Sequence, residues 1–384
     1  SKFLGRLGLA AVLVLFPCTG KGDTPFPAVR SVLSMQQAWE RGDRPADAVK
    51  IVAEAKGFLD APIPSIVDKK HVAPSGDPRD YYSLARYWWP NPVTGVPYIR
   101  KDGVSNPEIE EYDPPRFLAM NARVFTLARA FGITGENRFA QKAVEYLKVW
   151  FVDPKTRMNP HLNYAQAVKG LWDGSQWGIV DAVAMARSVP PAVDLLRRGK
   201  ALDPETDAAV KAWFREFLQW LEESPYGRSL TERDNNIASW YDMQRVSYAL
   251  LLDDAEKARA ILREAGPKRI GRQIASDGSQ PAELKRTRAF DYSCYNLDAL
   301  ITLCELGDAV GVDLWHHEDP KGGSIAKALD WLIPYAEGKK FPYKQLKGIS
   351  RGSLERLLKR AAPHYPDKPY GRGLRKPADV KPGD

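Results

Sequence analysis

Apolar residues recur along most of this chain at the 3.6-residue spacing that gathers them on one face of an α-helix. Asp203 followed by Pro204 is typical of a helix start, and Gly227 is expected just past the end of that helix. Another helix is expected to begin at Ser324, and one to stop near Gly307. The predicted helices lie near 26–40, 44–58, 117–131, 136–151, 178–199, 210–221, 236–252, 254–265, 297–304 and 325–332.

The helical pattern breaks in three places. Pro190 and Pro191 are expected to kink or split the helix around them. From Pro74 to Pro115 the chain is rich in Pro, Gly, Asp and aromatic residues, and so long a loop in a compact domain is usually functional. The segment from His364 onward is expected to be a loose tail. Because no series of alternating strand patterns is found, we predict an all-α fold of antiparallel helix hairpins in a ring or arc.

Composition is that of a globular protein with a basic surface. The 384 residues are 44% hydrophobic and 27% charged, which suits one large domain that needs no disulfide framework. A formal charge of +8 attracts polyanions such as nucleic acid, anionic membranes or acidic polysaccharides. No nucleic-acid-binding motif is found. The many aromatic residues are expected mostly in the core, and exposed ones can also stack on sugar rings.

The N-terminus has the features of a secretory signal peptide. Lys2 and Arg6 precede the apolar run LGLAAVLVLF, which is too short to span a membrane. We therefore expect export to the periplasm or beyond. Lipid attachment at Cys18 is less favoured, because Pro17 stands where such signals have a small residue. The predicted organisation is a signal peptide at 1–23, one domain at 24–363 and a Pro/Gly/basic tail at 364–384.

Three segments have more polar groups than a helical core would accept. The segment RDNNIASWYD, 233–242, has two adjacent asparagines at a predicted helix start, where asparagine often caps the helix. The segment ELKRTRAFDYSCYNL, 283–297, has two arginines and a tyrosine close to another helix start. The third is the 74–115 loop. Since the chain lacks a phosphate-binding loop, a GxSxG elbow and an HExxH helix, we expect neither a cofactor nor a metal.

Six separated strings occur in an informative order. SGDPRDYYSLARYWWPNP is followed by GVPYIRKDG and NPE, and then by MNPHLNYAQAV, NNIASWYDMQ and DGSQPAELKRTRAFDYSCYNLDAL. Together they resemble the alginate lyase superfamily of polysaccharide lyases, over roughly residues 60 to 340. The resemblance implies an (α/α) toroid, an incomplete helical barrel of antiparallel hairpins. It also implies cleavage of alginate or glucuronan.

The resemblance also implies site residues. In that family an Asn–His pair, an Arg and a Tyr form the active site. The Asn corresponds to Asn236, the Tyr to Tyr292, and the Arg to Arg286, with Arg288 as the close alternative. The position of the family His, directly after the second Asn, is occupied by Ile237. Isoleucine can neither transfer a proton nor bind a carboxylate, so this chain departs from the pattern at one of its four positions.

β-Elimination explains why these residue types are needed. The reaction removes the C5 proton beside a uronate carboxylate and expels the C4 oxygen. Amide and guanidinium donors on the carboxylate stabilise the developing enolate, and a tyrosine can take the proton. In mannuronate and glucuronate the C5 hydrogen and the C4 oxygen lie on one face, so one tyrosine can be base and then acid. Without the histidine, the hypothesis is same-face elimination on a mannuronate- or glucuronate-type polymer by Tyr292.

Three other functions stay open on the sequence. Ile237 is also compatible with a catalytically impaired, polysaccharide-binding relative. An (α/α)-barrel glycoside hydrolase needs two carboxylates across the cleft, and no spacing singles out a pair among Asp242, Asp277, Glu283 and Asp291. A basic scaffold for another polyanion is the third.

We expect a monomer that binds an acidic polysaccharide and does not bind nucleic acid. We also expect no stable membrane span. Further substrate contacts are predicted at Arg288, Asn235, Trp240, Arg79, Tyr81, Tyr82, Trp88, Trp89 and Gln166.

Overall fold

The computed structural model describes residues 24–375 and consists mainly of helices. The predicted signal peptide and the last nine residues of the predicted tail lie outside the described residues. No helix in the described part is long and apolar enough to cross a membrane. The α-helices are α1 Pro27–Glu40, α2 Ala46–Lys56, α3 Pro114–Thr134, α4 Asn137–Leu147, α5 Val183–Arg198, α6 Pro204–Glu223, α7 Pro225–Arg228, α8 Asn236–Leu251, α9 Ala255–Ala265, α10 Pro281–Leu284, α11 Ala289–Val310, α12 Ile325–Ala336 and α13 Arg351–Ala361.

The helices pack in two layers. Nearly every residue of α8 is buried, as expected of a helix with neighbours on all sides. α3, α5, α8 and α11 pack against one another in chain order and form the inner layer. α4 packs on α3, α9 on both α8 and α11, and α12 on α11, and the buried residues of α4 and α9 keep to one face. The result is an arc of helix hairpins, in agreement with the pattern of apolar residues.

The observed helices differ from the predicted ones in four respects. α5 runs through Pro190 and Pro191 without being split, because both prolines are buried and packing offsets the missing hydrogen bonds. α11 passes Gly307 and ends at Gly311, whose φ of +74° suits glycine and whose N–H donates to the Gly307 carbonyl. Gly227 belongs to the short helix that follows α6. α13 was not predicted.

The 74–115 segment is non-helical, as predicted, apart from one 3₁₀ turn at 107–111, and it forms short strands. β1 Tyr82–Leu84 pairs in parallel with β4 Tyr164–Ala167, and β2 Trp88–Asn91 pairs antiparallel with β3 Gly95–Arg100. These pairs surround a small apolar cluster of their own that includes Leu84, Tyr98, Ile109, Tyr112 and Val168. Lys69, just before the segment, forms a buried ion pair with Asp113 near the segment's end, with 2.6 Å between Nζ and Oδ2.

The described part of the predicted tail packs on the helical domain. Tyr370 is buried, and its hydroxyl donates to the Asp330 carboxylate at 2.8 Å and contacts the Ala326 carbonyl at 3.1 Å. The Arg375 guanidinium donates to Glu337 at 3.0 Å. Residues 364–375 therefore differ from the loose segment that their composition predicted. Tyrosine is the reason, since it supplies an apolar ring that the domain can bury.

Candidate active site

Three parts of the chain meet around a cleft that encloses about 540 Å³. The 74–115 segment forms one wall, the start of α8 forms the second, and the turn into α11 forms the third. Gln166 from β4 and two residues of the 3₁₀ turn at 176–182 complete it. The lining residues are Ala85, Arg86, Tyr87, Trp88, Arg100, Gln166, Trp177, Val180, Asn235, Asn236, Ile237, Arg286, Arg288, Asp291, Tyr292 and Tyr295.

Asn236 is the first residue of α8, and a glutamate holds its position. The Glu283 carboxylate accepts the Asn236 backbone N–H at 2.7 Å and its side-chain Nδ2–H at 2.7 Å. The backbone N–H is one of those that a helix start leaves without an intrahelical partner. Asn235, the residue before the helix, makes no side-chain capping bond. Burial raises the pKa of Glu283 to about 7, although the hydrogen bonds from Asn236 work in the opposite direction.

Arg286 and Tyr292 are in direct contact. The centre of the Arg286 guanidinium lies 3.7 Å from the centroid of the Tyr292 ring. The Tyr292 hydroxyl donates to the Tyr87 hydroxyl at 2.8 Å, so a second phenol stands beside the first. Burial raises the pKa of Tyr292 above the ordinary value for a phenol, and the Arg286 cation opposes that shift without cancelling it.

Asp102 fixes Arg286 from the opposite side. Its carboxylate accepts from Arg286 Nη2 at 2.8 Å, and from the Thr287 backbone N–H at 3.2 Å and hydroxyl at 2.9 Å. Partial burial acts to raise the pKa of Asp102, but the hydrogen bonds from Arg286 and Thr287 hold it well below its usual range. Asp102 therefore stays ionised, and a residue of the 74–115 segment sets the direction of an arginine that precedes α11.

The cleft is positively charged. Four of its lining residues, Arg86, Arg100, Arg286 and Arg288, have guanidinium groups, against one lining carboxylate, Asp291. Arg288 donates to that carboxylate at 2.7 Å, and Arg100 donates to Asp102 at 2.8 Å just outside the lining. An excess of fixed cations in a concave site attracts and orients a polyanion. The arrangement suits a polyanionic ligand.

The cleft brings together seven of the residues predicted from the sequence. Asn236, Arg286 and Tyr292 line it, and so do Arg288, Asn235, Trp88 and Gln166. Gln166 has a φ of +49°, and its Nε2 donates to the Asp181 carboxylate at 2.8 Å. Trp88 is half-buried and lies against Trp177, another lining residue, with ring centroids 6.5 Å apart. These two rings offer an aromatic surface on which a sugar can stack.

Five residues predicted to contact substrate lie elsewhere. Trp240 is fully buried, one helical turn beyond Asn236, beneath Tyr295 at 5.0 Å between centroids, so no sugar reaches it. Tyr81 is also buried and contacts Asp181 at 3.1 Å, behind Gln166. The other three do not line the cleft. Arg79 pairs with Asp77, Tyr82 lines a separate crevice beside Lys169, and the Trp89 indole donates to the Val104 carbonyl.

No imidazole replaces the missing family histidine in the described part of the chain. Ile237 is half-buried and lines the cleft at that position. His161 and His71 are not among the lining residues; the first contacts Asp80 at 3.1 Å, and the second stacks on Tyr112. Within residues 24–375, no three His, Cys, Asp or Glu side chains are grouped to hold a metal ion. Among the described residues that line the cleft, the proton-transfer groups are thus three phenols, Tyr87, Tyr292 and Tyr295, and one carboxyl group, Asp291.

Sequence patterns missed the partners of the predicted residues. Tyr87, Asp102 and Glu283 each contact one of them, and they come from segments that are distant in sequence or on another element. Tyr87 stands in the aromatic string ARYWWP, but only the turn between β1 and β2 decides which side chain faces the cleft. Glu283 lies three residues before Arg286, and the sequence offers it as a carboxylate for hydrolysis but does not show that it contacts Asn236.

Comparison with known proteins agrees with this site and fold. The alginate lyase family model matches residues 65–341. The crystal structure of an alginate lyase from Bacteroides ovatus is 35% identical and gives a TM-score of 0.84, over 92% of this chain and 96% of that one. Alginate lyase A1-III from Sphingomonas species A1 is 15% identical, with a TM-score of 0.58 over 93% of this chain and 92% of that one, a likeness of fold alone. No curated protein sequence matches.

These findings confirm the all-α prediction and the helical toroid, because the neighbours are lyases of that architecture and share nearly the whole described chain. They also decide against two of the three alternatives, the glycoside hydrolase and the basic scaffold for another polyanion, because the chain matches a family of polysaccharide lyases. By its family match and by its 35% identical structural relative, this chain belongs to the alginate lyase family and is a polysaccharide lyase.

Proposed function

We propose that this lyase cleaves a uronate polymer of the mannuronate or glucuronate type, alginate or glucuronan, by same-face β-elimination. The observation that carries the proposal is one cleft in which an amide, a guanidinium and a phenol face the same space, at Asn236, Arg286 and Tyr292. The arginines around the cleft support an acidic substrate, and the family supports alginate.

Carboxylate neutralisation is the first requirement of the reaction. The C5 proton of a uronate is weakly acidic, because the neighbouring carboxylate resists a second negative charge. In the proposed complex Arg286 and Asn236 hydrogen-bond the carboxylate, so the enolate that develops is stabilised by donors already in place. Asp102 holds the Arg286 guanidinium in place before substrate arrives, so this donor needs little reorganisation in the transition state, and Glu283 keeps the Asn236 side chain at the cleft.

Tyr292 is proposed to move the proton. As a phenolate it takes the C5 hydrogen; the C5–H electron pair forms the C4–C5 double bond, and the C4–O bond breaks. The same proton then passes from Tyr292 to the leaving oxygen, so the phenolate is restored and no co-reactant is consumed. The Tyr87 hydroxyl, 2.8 Å away, can donate to the Tyr292 oxygen once that oxygen has lost its proton.

A panel of three polymers tests the proposal. Polymannuronate, polyguluronate and glucuronan are each mixed with the protein, and the ultraviolet absorbance of the unsaturated sugar end is followed. We expect cleavage of polymannuronate or glucuronan with little of polyguluronate. Cleavage of polyguluronate alone would contradict the same-face mechanism, and no unsaturated product from any polymer would favour a binding-only relative.

Removing one hydroxyl tests the base. Tyr292→Phe should lower kcat by at least ~10²-fold, because proton transfer by a positioned side chain contributes about that much or more. Tyr335→Phe is the matched control, since that tyrosine lies on α12 and does not line the cleft. Full activity in Tyr292→Phe removes this residue from the mechanism.

A further inference from the structure

The contact between Glu283 and Asn236 is unusually enclosed. Glu283 is 1% exposed, and each of its carboxylate oxygens accepts a hydrogen from Asn236, one from the backbone and one from the amide Nδ2, both at 2.7 Å. Asn236 itself lines the cleft. A buried carboxyl therefore lies directly behind an amide that faces the proposed substrate.

An ionised Glu283 restricts that amide. A carboxylate has acceptors only, so Asn236 must turn an Nδ2 hydrogen towards it. The amide then presents its Oδ1 and its one remaining hydrogen to the cleft. A uronate carboxylate is also an acceptor only, and Oδ1 facing it is repulsive. The orientation of the Asn236 amide that an ionised Glu283 favours is consequently unfavourable for binding a uronate carboxylate.

A protonated Glu283 permits the opposite arrangement. Turned by 180°, the Asn236 amide places Oδ1 where Nδ2 was, and the Glu283 hydroxyl donates to it. The separation of 2.7 Å suits an O–H···O hydrogen bond. The other Glu283 oxygen still accepts the Asn236 backbone hydrogen, so the start of α8 loses no partner. Both Nδ2 hydrogens now face the cleft and can bind a carboxylate.

We propose that Glu283 is a positioning residue whose proton sets the orientation of the Asn236 amide, so that binding a uronate carboxylate takes up a proton at Glu283. The inference rests on the proposed function, because it needs a sugar carboxylate in this cleft. The proton comes from solvent and returns to it when product leaves, so no chemistry beyond the elimination is added.

The surroundings of Glu283 suit this role. Burial raises its pKa to about 7, against the hydrogen bonds from Asn236. The charged groups that act on it from the neighbouring segments are Arg286, which lowers its pKa, and Asp234, which raises it. A bound carboxylate adds a further negative charge and raises the pKa again. Substrate binding is therefore expected to be strongest below this pKa and to weaken as pH rises through it.

Calorimetry measures the proton directly. Tyr292→Phe is titrated with short mannuronate or glucuronate oligomers in two buffers of different protonation enthalpy, between pH 6 and 9. We expect uptake that grows with pH towards about one proton per bound oligomer. Glu283→Gln in the same background should bind without uptake, because glutamine donates to Oδ1 at every pH. Glu318→Gln, an exposed carboxylate paired with Lys327, is the control and should keep the uptake.

Steady-state kinetics give a second test. In the wild type, kcat/KM should rise with pH to about 7 and then level off, because the gain in Tyr292 phenolate is offset by the loss of protonated Glu283. In Glu283→Gln the rise should continue above that pH. Oligomer binding to Tyr292→Phe with no proton uptake at any pH overturns the role of Glu283 and leaves the proposed function standing. Failure of Tyr292→Phe to bind any oligomer overturns both. The wild-type profile stays informative if Glu283→Gln does not fold.

Discussion

Ile237 places a hydrocarbon side chain in a cleft that is otherwise rich in guanidinium, amide and phenol groups. It also packs against the main core, so it closes the cleft floor as well as lining it. Elimination of guluronate needs a base and an acid on opposite faces of the sugar, and Tyr292 supplies only one of them. Ile237 is thus the residue at which we expect substrate range to be decided.

Restoring an imidazole should widen that range. Ile237→His is expected to raise the rate on polyguluronate by ~10²-fold or more, the usual contribution of a positioned proton-transfer group. Ile237→Asn, polar but unable to transfer a proton, is the control. Rates on all three polymers and thermal melting curves check the result. If a folded Ile237→His variant that still cleaves polymannuronate shows no gain on polyguluronate, the position does not decide the range.

At the scale of elements, the 74–115 segment forms one wall of the cleft and is hydrogen-bonded to the turn before α11, which forms another wall. Asp102 joins it to the turn before α11 through Arg286 and Thr287. Gly103 next to it has a φ of +80°, and an added Cβ would stand 2.5 Å from the Thr287 hydroxyl oxygen, so only glycine fits. The segment and the helix start thus position each other.

Breaking this attachment should impair catalysis before it impairs folding. Asp102→Asn loses the charge-assisted hydrogen bonds to Arg286, each contributing about 1.5–3 kcal/mol, so kcat/KM should fall at least ~10-fold. Trypsin should also cleave faster after Arg100 and Lys101. Asp43→Asn, at an exposed ion pair, is the control. Unchanged kinetics and unchanged proteolysis in Asp102→Asn would show that Asp102 does not hold the segment.

At the scale of the whole molecule, the C-terminal residues tie the last helices together. α13 packs on both α11 and α12, and the turn that contains Tyr370 packs on α13 and hydrogen-bonds to α12. This region does not line the cleft. We therefore expect it to contribute to the stability of the arc of helices and not to the cleft.

Substitutions in this region should lower the stability of the protein without changing its activity. Tyr370→Ala is expected to lower the free energy of unfolding by about 3 kcal/mol, because it removes a buried ring and its hydrogen bonds. Tyr370→Phe should lose only about 1 kcal/mol. Urea unfolding measures both, and kcat/KM should stay near the wild-type value in each. A Tyr370→Ala variant as stable as the wild type would mean that residues 364–375 are loosely held.

The sequence by itself determined most of the helices, since the apolar spacing of a helix is a local pattern that each segment shows without its neighbours. It missed the strands because segments of three to six residues are too short to show an alternation, and it misjudged α5 because burial of Pro190 and Pro191 is a property of packing. α13 had a readable signal in Leu354, Leu357, Leu358 and Ala361.

The same division holds for the site. The string NNIASWYD and the spacing of Arg286 and Tyr292 allowed the sequence to name three residues that line one cleft, through likeness to a family. The tertiary structure alone decided that Trp240 points into the core, and that Glu283, Asp102 and Tyr87 stand beside the three. Those contacts join segments up to about two hundred positions apart, and no local pattern records which distant side chains the folded helices bring within hydrogen-bond distance.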